Sequence, residues 1–208
     1  MQNNIEVEVR GRLTDGAYEK FLNVLKKDGA YVETKKRVLL DYSTFLKEEG
    51  VRERTRDIRL RVTNGKPEII TKIGNWGGKE NRRELSVMTE IGSFDTLVET
   101  YAVLGYTKAV LCIRNTEVFM YKDIEFALVE VPNHSYYFEA EISVSSEHEV
   151  EEAHAKIETV CAEFDVELFD TNGFHEYIEE LNRDANETFD YASYEHGYFA
   201  KRFNLPTT

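Results

Sequence analysis

Several segments of this chain set charged residues two apart between apolar ones, and that spacing limits what they could do. They are Glu6, Glu8 and Arg10 in Ile5-Glu6-Val7-Glu8-Val9-Arg10, Arg59 and Arg61 in Ile58-Arg59-Leu60-Arg61-Val62, Arg82 with Glu84, and Glu139 with Glu141. Side chains at i and i+2 of a strand share a face. Glu6/Glu8 and Glu139/Glu141 therefore each turn two carboxylates toward one point, a hard oxygen donor set suited to Mg²⁺ or Mn²⁺. Arg59 and Arg61 are the complement, because a guanidinium stays charged and its planar fork matches phosphate oxygens. Any one such strand is ordinarily a solvated surface strand. Several in one chain fit the interior of a closed barrel, where charges of both signs can pair with each other or with bound ions.

The elements that must position these residues follow from periodicity. Alternation predicts strands over 5–10, 82–88, 107–115, 117–122, 124–131 and 136–144, with turns near Asn115 and at Pro132-Asn133-His134. Residues 56–74 read as a hairpin turned at Asn64-Gly65, and Lys36–Phe45 is a further, less regular strand. Helical spacing marks 15–28, closed by Gly29, and a helix capped by Ser93 and closed by Gly105. It also marks 147–164, 173–182 and 185–203. No linker or repeat divides the chain. The expectation is one α+β domain over 1–208, an eight-stranded antiparallel β-barrel flanked by helices, with a helical C-terminal extension from about 183.

Charge is unevenly spread. The 208 residues carry a net charge of −13, yet residues 52–83 hold 10 basic and 4 acidic residues, while 123–208 hold 4 basic and 21 acidic. The acidic excess argues against long nucleic acid and anionic membranes as partners. No apolar run approaches the roughly 20 residues of a membrane span. Cys112 and Cys161 lack CxxC or His spacing, and Met1–Asn4 carries no export signal, so a cytoplasmic protein without disulfide or zinc is expected. Arg83, of opposite parity to Arg82, is expected outside the barrel, and Arg52, Arg54 and Lys66 as solvated loop charges. His134, His148, His154, His175 and His196 read as surface or interface residues. The stripe Tyr191, Tyr194, Tyr198 and Phe199 reads as core or homodimer packing. Asn186-Glu187-Thr188 is a glycosylation sequon without an export context.

Glu6-Val7-Glu8-Val9-Arg10 resembles the ExExK signature of the CYTH superfamily, the triphosphate tunnel metalloenzymes, with Arg for the final Lys. The resemblance continues in order through Ile58–Arg61, Thr71-Lys72-Ile73-Gly74, Arg82-Arg83-Glu84, Val110–Arg114 and Tyr137–Glu141, and covers roughly residues 5–180. It implies an eight-stranded tunnel that binds a small-molecule triphosphate with Mg²⁺ or Mn²⁺. The residues it implies on phosphate are Arg59, Arg61, Lys72, Arg82 and Arg114, with Arg10, Lys72 and Arg114 in catalysis. Glu6, Glu8, Glu130, Glu139 and Glu141 are the implied metal ligands, supported by Glu84. Relatives carry Lys where this chain has Cys112, and Lys108 on the same strand face is the candidate substitute. Glu130 stands for a family Asp.

The leading expectation is hydrolysis of inorganic triphosphate, a nucleoside triphosphate or thiamine triphosphate. The alternatives are a class IV adenylyl cyclase, whose N-terminal His-Phe element is absent here, and a non-catalytic polyphosphate- or nucleotide-binding barrel.

Overall fold

Alternation along the strands closes into a ring. The computed structural model describes residues 5–46 and 50–207. Its strands are β1 (Ile5–Leu13), β2 (Ala30–Asp41), β3 (Arg56–Thr63), β4 (Lys66–Ile73), β5 (Lys79–Met88), β6 (Lys108–Tyr121), β7 (Ile124–Val131), β8 (Ser135–Val144) and β9 (Glu187–Asp190). The first eight pair antiparallel in the order β2-β3-β4-β5-β1-β8-β7-β6, and β6 pairs back to β2, closing the barrel. β9 lies outside the ring, on Lys108–Leu111 of β6. Two tight hairpins fix register. Asn64 and Gly65 turn β3 into β4 with φ of 50° and 79°, and Lys122 and Asp123 turn β6 into β7 with φ of 51° and 60°, the doubly left-handed turn that matches strand twist.

The apolar positions of the alternating strands point outward, and helices cover them. α1 (Asp15–Asp28) and α3 (Val150–Cys161) cover β1, β7 and β8, packing Phe21, Leu25 and Ile157 on Val7, Val9, Phe126 and Phe138. α2 (Phe94–Val103) and α5 (Tyr198–Phe203) cover β2, β3 and β6 through Phe94, Val98 and Phe199 against Leu40, Leu60 and Leu111. α4 (Thr171–Asp184), capped by Asp170 through the Gly173 N–H at 2.7 Å, lays Tyr177 and Leu181 against Val131. The two main hydrophobic clusters thus lie on the outside of the barrel, while the inside is mostly charged, with a small apolar cluster of Val118, Ala127 and Val129 against Tyr137.

Four local expectations change. β2 spans Ala30–Asp41 rather than Lys36–Phe45, and Ser43–Phe45 is a 3-10 turn in which the Ser43 N–H donates to the Asp41 carboxylate at 2.9 Å. β6 runs unbroken through Asn115, where a turn was expected; the Asn115 amide donates to Glu130 at 2.9 Å across the β6–β7 pair, which occupies the side chain that would have favoured a turn. Ser93 begins α2, but its hydroxyl donates to the Glu90 carbonyl at 2.7 Å and makes no cap. Residues 185–203 are not one helix. They form β9, a 3-10 turn at Tyr191–Ser193 and α5, because Phe189 enters the α2 core and Gly197 sits at φ 81°. Buried Asp95 then accepts from the Phe199 and Ala200 N–H groups at 3.1 and 3.0 Å and from the Tyr194 hydroxyl at 2.7 Å. The aromatic stripe is therefore mainly core, with Tyr198 left exposed. Among the described residues no helix is long and apolar enough to cross a membrane.

Candidate active site

The barrel interior holds two adjoining cavities. One, of about 240 Å³, is lined almost entirely by charge: Glu6, Glu8 and Arg10 of β1, Lys35 and Arg37 of β2, Arg59 and Arg61 of β3, Lys72 of β4, Glu84 of β5, Glu125 of β7, and Glu139 and Glu141 of β8. The other, of about 130 Å³, shares Arg10, Arg37, Arg59, Arg61 and Glu139 and is walled by Trp76, Phe169, Phe174 and Tyr177 where α4 crosses the barrel, with Arg54, Cys112 and Arg114 beside them. Strand register makes this arrangement. Glu8 faces Glu141, Arg10 faces Glu139, and Glu125 faces Glu141 on the next strand.

Ion pairs neutralise most of these charges. Lys72 pairs with Glu6 and, at 3.2 Å, with Glu84. Arg10 meets Glu8 at 2.6 Å, Glu139 at 3.3 Å and also Glu80, and donates to the Gly77 carbonyl at 3.1 Å. Arg61 meets Glu68 at 2.6 Å. Behind the cavities, Asp57 is wholly buried and accepts from Arg54 at 3.1 Å and Arg82 at 2.6 Å, with Arg59 beside it. Burial raises the Asp57 carboxyl, but Arg59, Arg82 and Arg54 outweigh it and hold it well below the usual range. Desolvation lowers the Lys72 ammonium, yet Glu8, Glu6 and Glu84 leave it raised overall. Glu139 is similar in kind: burial pushes it up, while Arg10, Arg37 and Lys72 bring it below its ordinary value.

Two carboxyls go the other way. Burial pushes Glu8 well up despite Arg10, and burial followed by Glu6 pushes Glu141 up to about 7. Carboxylates crowded this way are short of positive charge. The donor chemistry of Glu6, Glu8, Glu139 and Glu141 therefore fits a hard divalent cation. Among the described residues no three His, Cys, Asp or Glu side chains already converge at ligating distance, since Glu6 is engaged by Lys72 and Glu8 by Arg10.

The sequence-expected residues divide cleanly. Glu6, Glu8, Arg10, Arg59, Arg61, Lys72, Glu84, Glu139 and Glu141 line the charged cavity. Arg114 lines the α4 end, donating to Asn186 at 2.9 Å and to the Ile113 carbonyl at 2.7 Å. Arg82 faces inward but is sealed in the wall by Asp57 and Glu80 and lines neither cavity. Glu130 is corrected outright: Glu125, Ala127 and Val129 carry the inward parity of β7, so Glu130 points outward, onto Asn115. Lys108 is corrected too, since it is exposed and pairs with Asp190 of β9 at 3.3 Å, too near the strand's start to reach either cavity. Cys112 is buried in the α4 end, its thiol raised by desolvation.

Arg54 is not a solvated loop charge. It is buried on Asp41 at 2.9 Å and stacks 4.1 Å from the Trp76 ring centroid. His154 and His175 are buried as well, His175 within 3.1 Å of the Trp76 carbonyl. Lys35, Arg37, Asp41, Asp57, Glu80 and Glu125 are interior residues that motif reasoning passed over. Parity alone could have found Asp57 and Glu80, each two residues from an inward Arg. Asn186, noted only for its sequon, binds Arg114.

No protein-family model matches the chain, and no curated protein matches its sequence. Solved structures do. The PH1819 protein of Pyrococcus horikoshii OT3 is similar with a TM-score of 0.70 at 21% identity, over 84% of this chain and 98% of that one. A candidate adenylate cyclase from Vibrio parahaemolyticus gives 0.58 at 15% identity, over 79% of this chain and 91% of its own. HpAC1 from Hippeastrum, a candidate adenylyl cyclase whose structure reveals a dominant triphosphatase activity, gives 0.53 at 13% identity, over 86% and 95%. At these identities the likeness is one of fold.

Proposed function

The chain has the tunnel fold of the CYTH proteins, and on that premise we propose that it is a divalent-metal-dependent triphosphatase. One observation carries this reading: two carboxylate pairs and six cations line a single cavity inside the barrel. Phosphoryl transfer needs little covalent help from a protein and depends on positioning and charge neutralisation.

The roles follow from what each side chain already touches. Arg59, Arg61 and Lys72 offer inward cations to the phosphate oxygens, exchanging their present carboxylate partners for substrate. Arg10 bridges Glu8 and Glu139 across β1 and β8, so its part is to hold the two carboxylate pairs in register. Arg82 and Asp57 brace the wall that carries Arg59. Glu6, Glu8, Glu139 and Glu141 would hold Mg²⁺ or Mn²⁺, which when bound neutralises phosphate charge and lowers the pKa of water. Hydrolysis places a water oxygen on the terminal phosphorus and breaks the bridging P–O bond, giving orthophosphate and pyrophosphate from triphosphate. Inward cations stabilise the charge that gathers on the leaving oxygen.

An adenylyl cyclase is the second reading, favoured by the aromatic side chains Phe169, Phe174 and Tyr177 that line the α4-end cavity beside the charged one, an apolar wall of the kind a nucleobase needs. Product analysis separates the two. With inorganic triphosphate, ATP or thiamine triphosphate and Mg²⁺ or Mn²⁺, orthophosphate release is expected. Cyclic AMP with pyrophosphate from ATP would establish the cyclase instead, and tight binding with no product would leave a binding barrel.

A further inference from the structure

Nearly every interior cation of this barrel has a carboxylate partner. Arg10, Arg54, Arg59, Arg61, Lys72 and Arg82 all do, and Lys35 lies 3.4 Å from Glu33 and 3.6 Å from Glu125. Arg37 differs. Among the described residues no carboxylate lies within ion-pair distance of it, and its Nε is buried without a hydrogen-bond partner. The two carboxylates that act on it from a distance are already engaged, Glu139 by Arg10 and Glu68 by Arg61.

Its surroundings add positive charge. β2 and β6 pair with Arg37 directly opposite Arg114, so the two guanidiniums share a face. Arg114 is held by neutral groups, Asn186, the Ile113 carbonyl and the Tyr137 hydroxyl. Two residues along β6 on the same face, the Thr116 hydroxyl is buried without a partner. Arg37 lines both cavities and so stands where they meet. A half-buried cation beside other cations, its Nε sealed from solvent without a partner, is costly unless an anion completes the site.

We propose that Arg37, with Arg114 and Thr116, forms an anion subsite at the junction of the two cavities that grips a phosphoryl group of the substrate. This rests on the triphosphate reading and adds a binding residue on β2 that the charged strand motifs do not contain.

The test is calorimetric titration of inorganic triphosphate into wild type, Arg37→Gln and Arg37→Lys, in EDTA so that no turnover intervenes, alongside ligand-free melting curves. Losing a charge-assisted guanidinium contact should weaken Arg37→Gln binding by about 10- to 100-fold, with Arg37→Lys between it and wild type. Ligand-free Arg37→Gln should melt no lower than wild type, because a half-buried charge without a carboxylate partner has gone; a merely structural arginine would lower the melting temperature and spare affinity. Wild-type affinity in Arg37→Gln overturns the subsite alone. Absence of any heat of binding or turnover from triphosphate with the wild type, with Mg²⁺ as well as in EDTA, overturns the functional reading and the subsite together.

Discussion

At the scale of single residues, the interior carboxyls set a pH signature. Glu141 is raised to about 7 by burial first and Glu6 second, from an ordinary 4.5. A carboxyl raised on folding holds its proton longer in the folded state, so its stabilising contribution is complete below about 4.5 and is lost as pH climbs through about 7. Ligand-free Glu141→Gln should therefore lose less melting temperature than wild type between pH 5 and pH 7.5. Parallel melting profiles would refute the burial argument. Arg10, Arg59, Arg61 and the glutamates of β1 and β8 were legible because they sit in short alternating strands where parity assigns a face, and Lys72 through the family resemblance alone. Arg37 and Asp41 were not, because β2 also carries Lys35, Lys36 and Leu39, and its charges read as a solvated strand. Arg54 was missed for another reason: its partners Asp41 and Trp76 are distant in sequence, and only the closed barrel brings them to it.

At the scale of elements, close approach and core packing position the tunnel. Gly11 lies where the segment before α4 crosses β1; an added Cβ would stand 2.1 Å from the Glu167 carbonyl oxygen, and the Phe169 N–H bond to the Arg10 carbonyl at 2.8 Å pins that crossing. Gly11→Ala should cost about 2 kcal/mol or more, as overpacking against backbone does, read as a lowered denaturation midpoint; an unchanged midpoint would show the crossing is loose. The C-terminal segment is part of the fold rather than an appendage, since Phe199 is fully buried against Phe94 and Phe189. Phe199→Ala should cost about 3–5 kcal/mol, and a loss under 1 kcal/mol would contradict that packing. Most barrel strands and α1 to α4 were readable from period, although β2 begins earlier than expected and β6 was split at Asn115. β9 and α5 were not, because Thr188 and Phe189 take their conformation from β6 and Asp95 caps α5 from a hundred residues away.

At the scale of the molecule, net charge misleads and its distribution informs. The acidic excess lies mainly in residues 123–208, which contribute α3 and α4, while the basic strands of residues 52–83 turn into a lumen where each sign largely neutralises the other. On the proposed reading, such an interior would exchange internal ion pairs for a metal and a polyphosphate while the two main hydrophobic clusters stay packed between barrel and helices. The most direct test of this account measures orthophosphate released from inorganic triphosphate as Mg²⁺ or Mn²⁺ is titrated, in wild type and in the Glu6→Gln/Glu8→Gln double variant. Saturable metal-dependent release is expected from the wild type, with a loss of about 100-fold or more in the variant. Full activity in Glu6→Gln/Glu8→Gln, or undiminished release in EDTA, would contradict it.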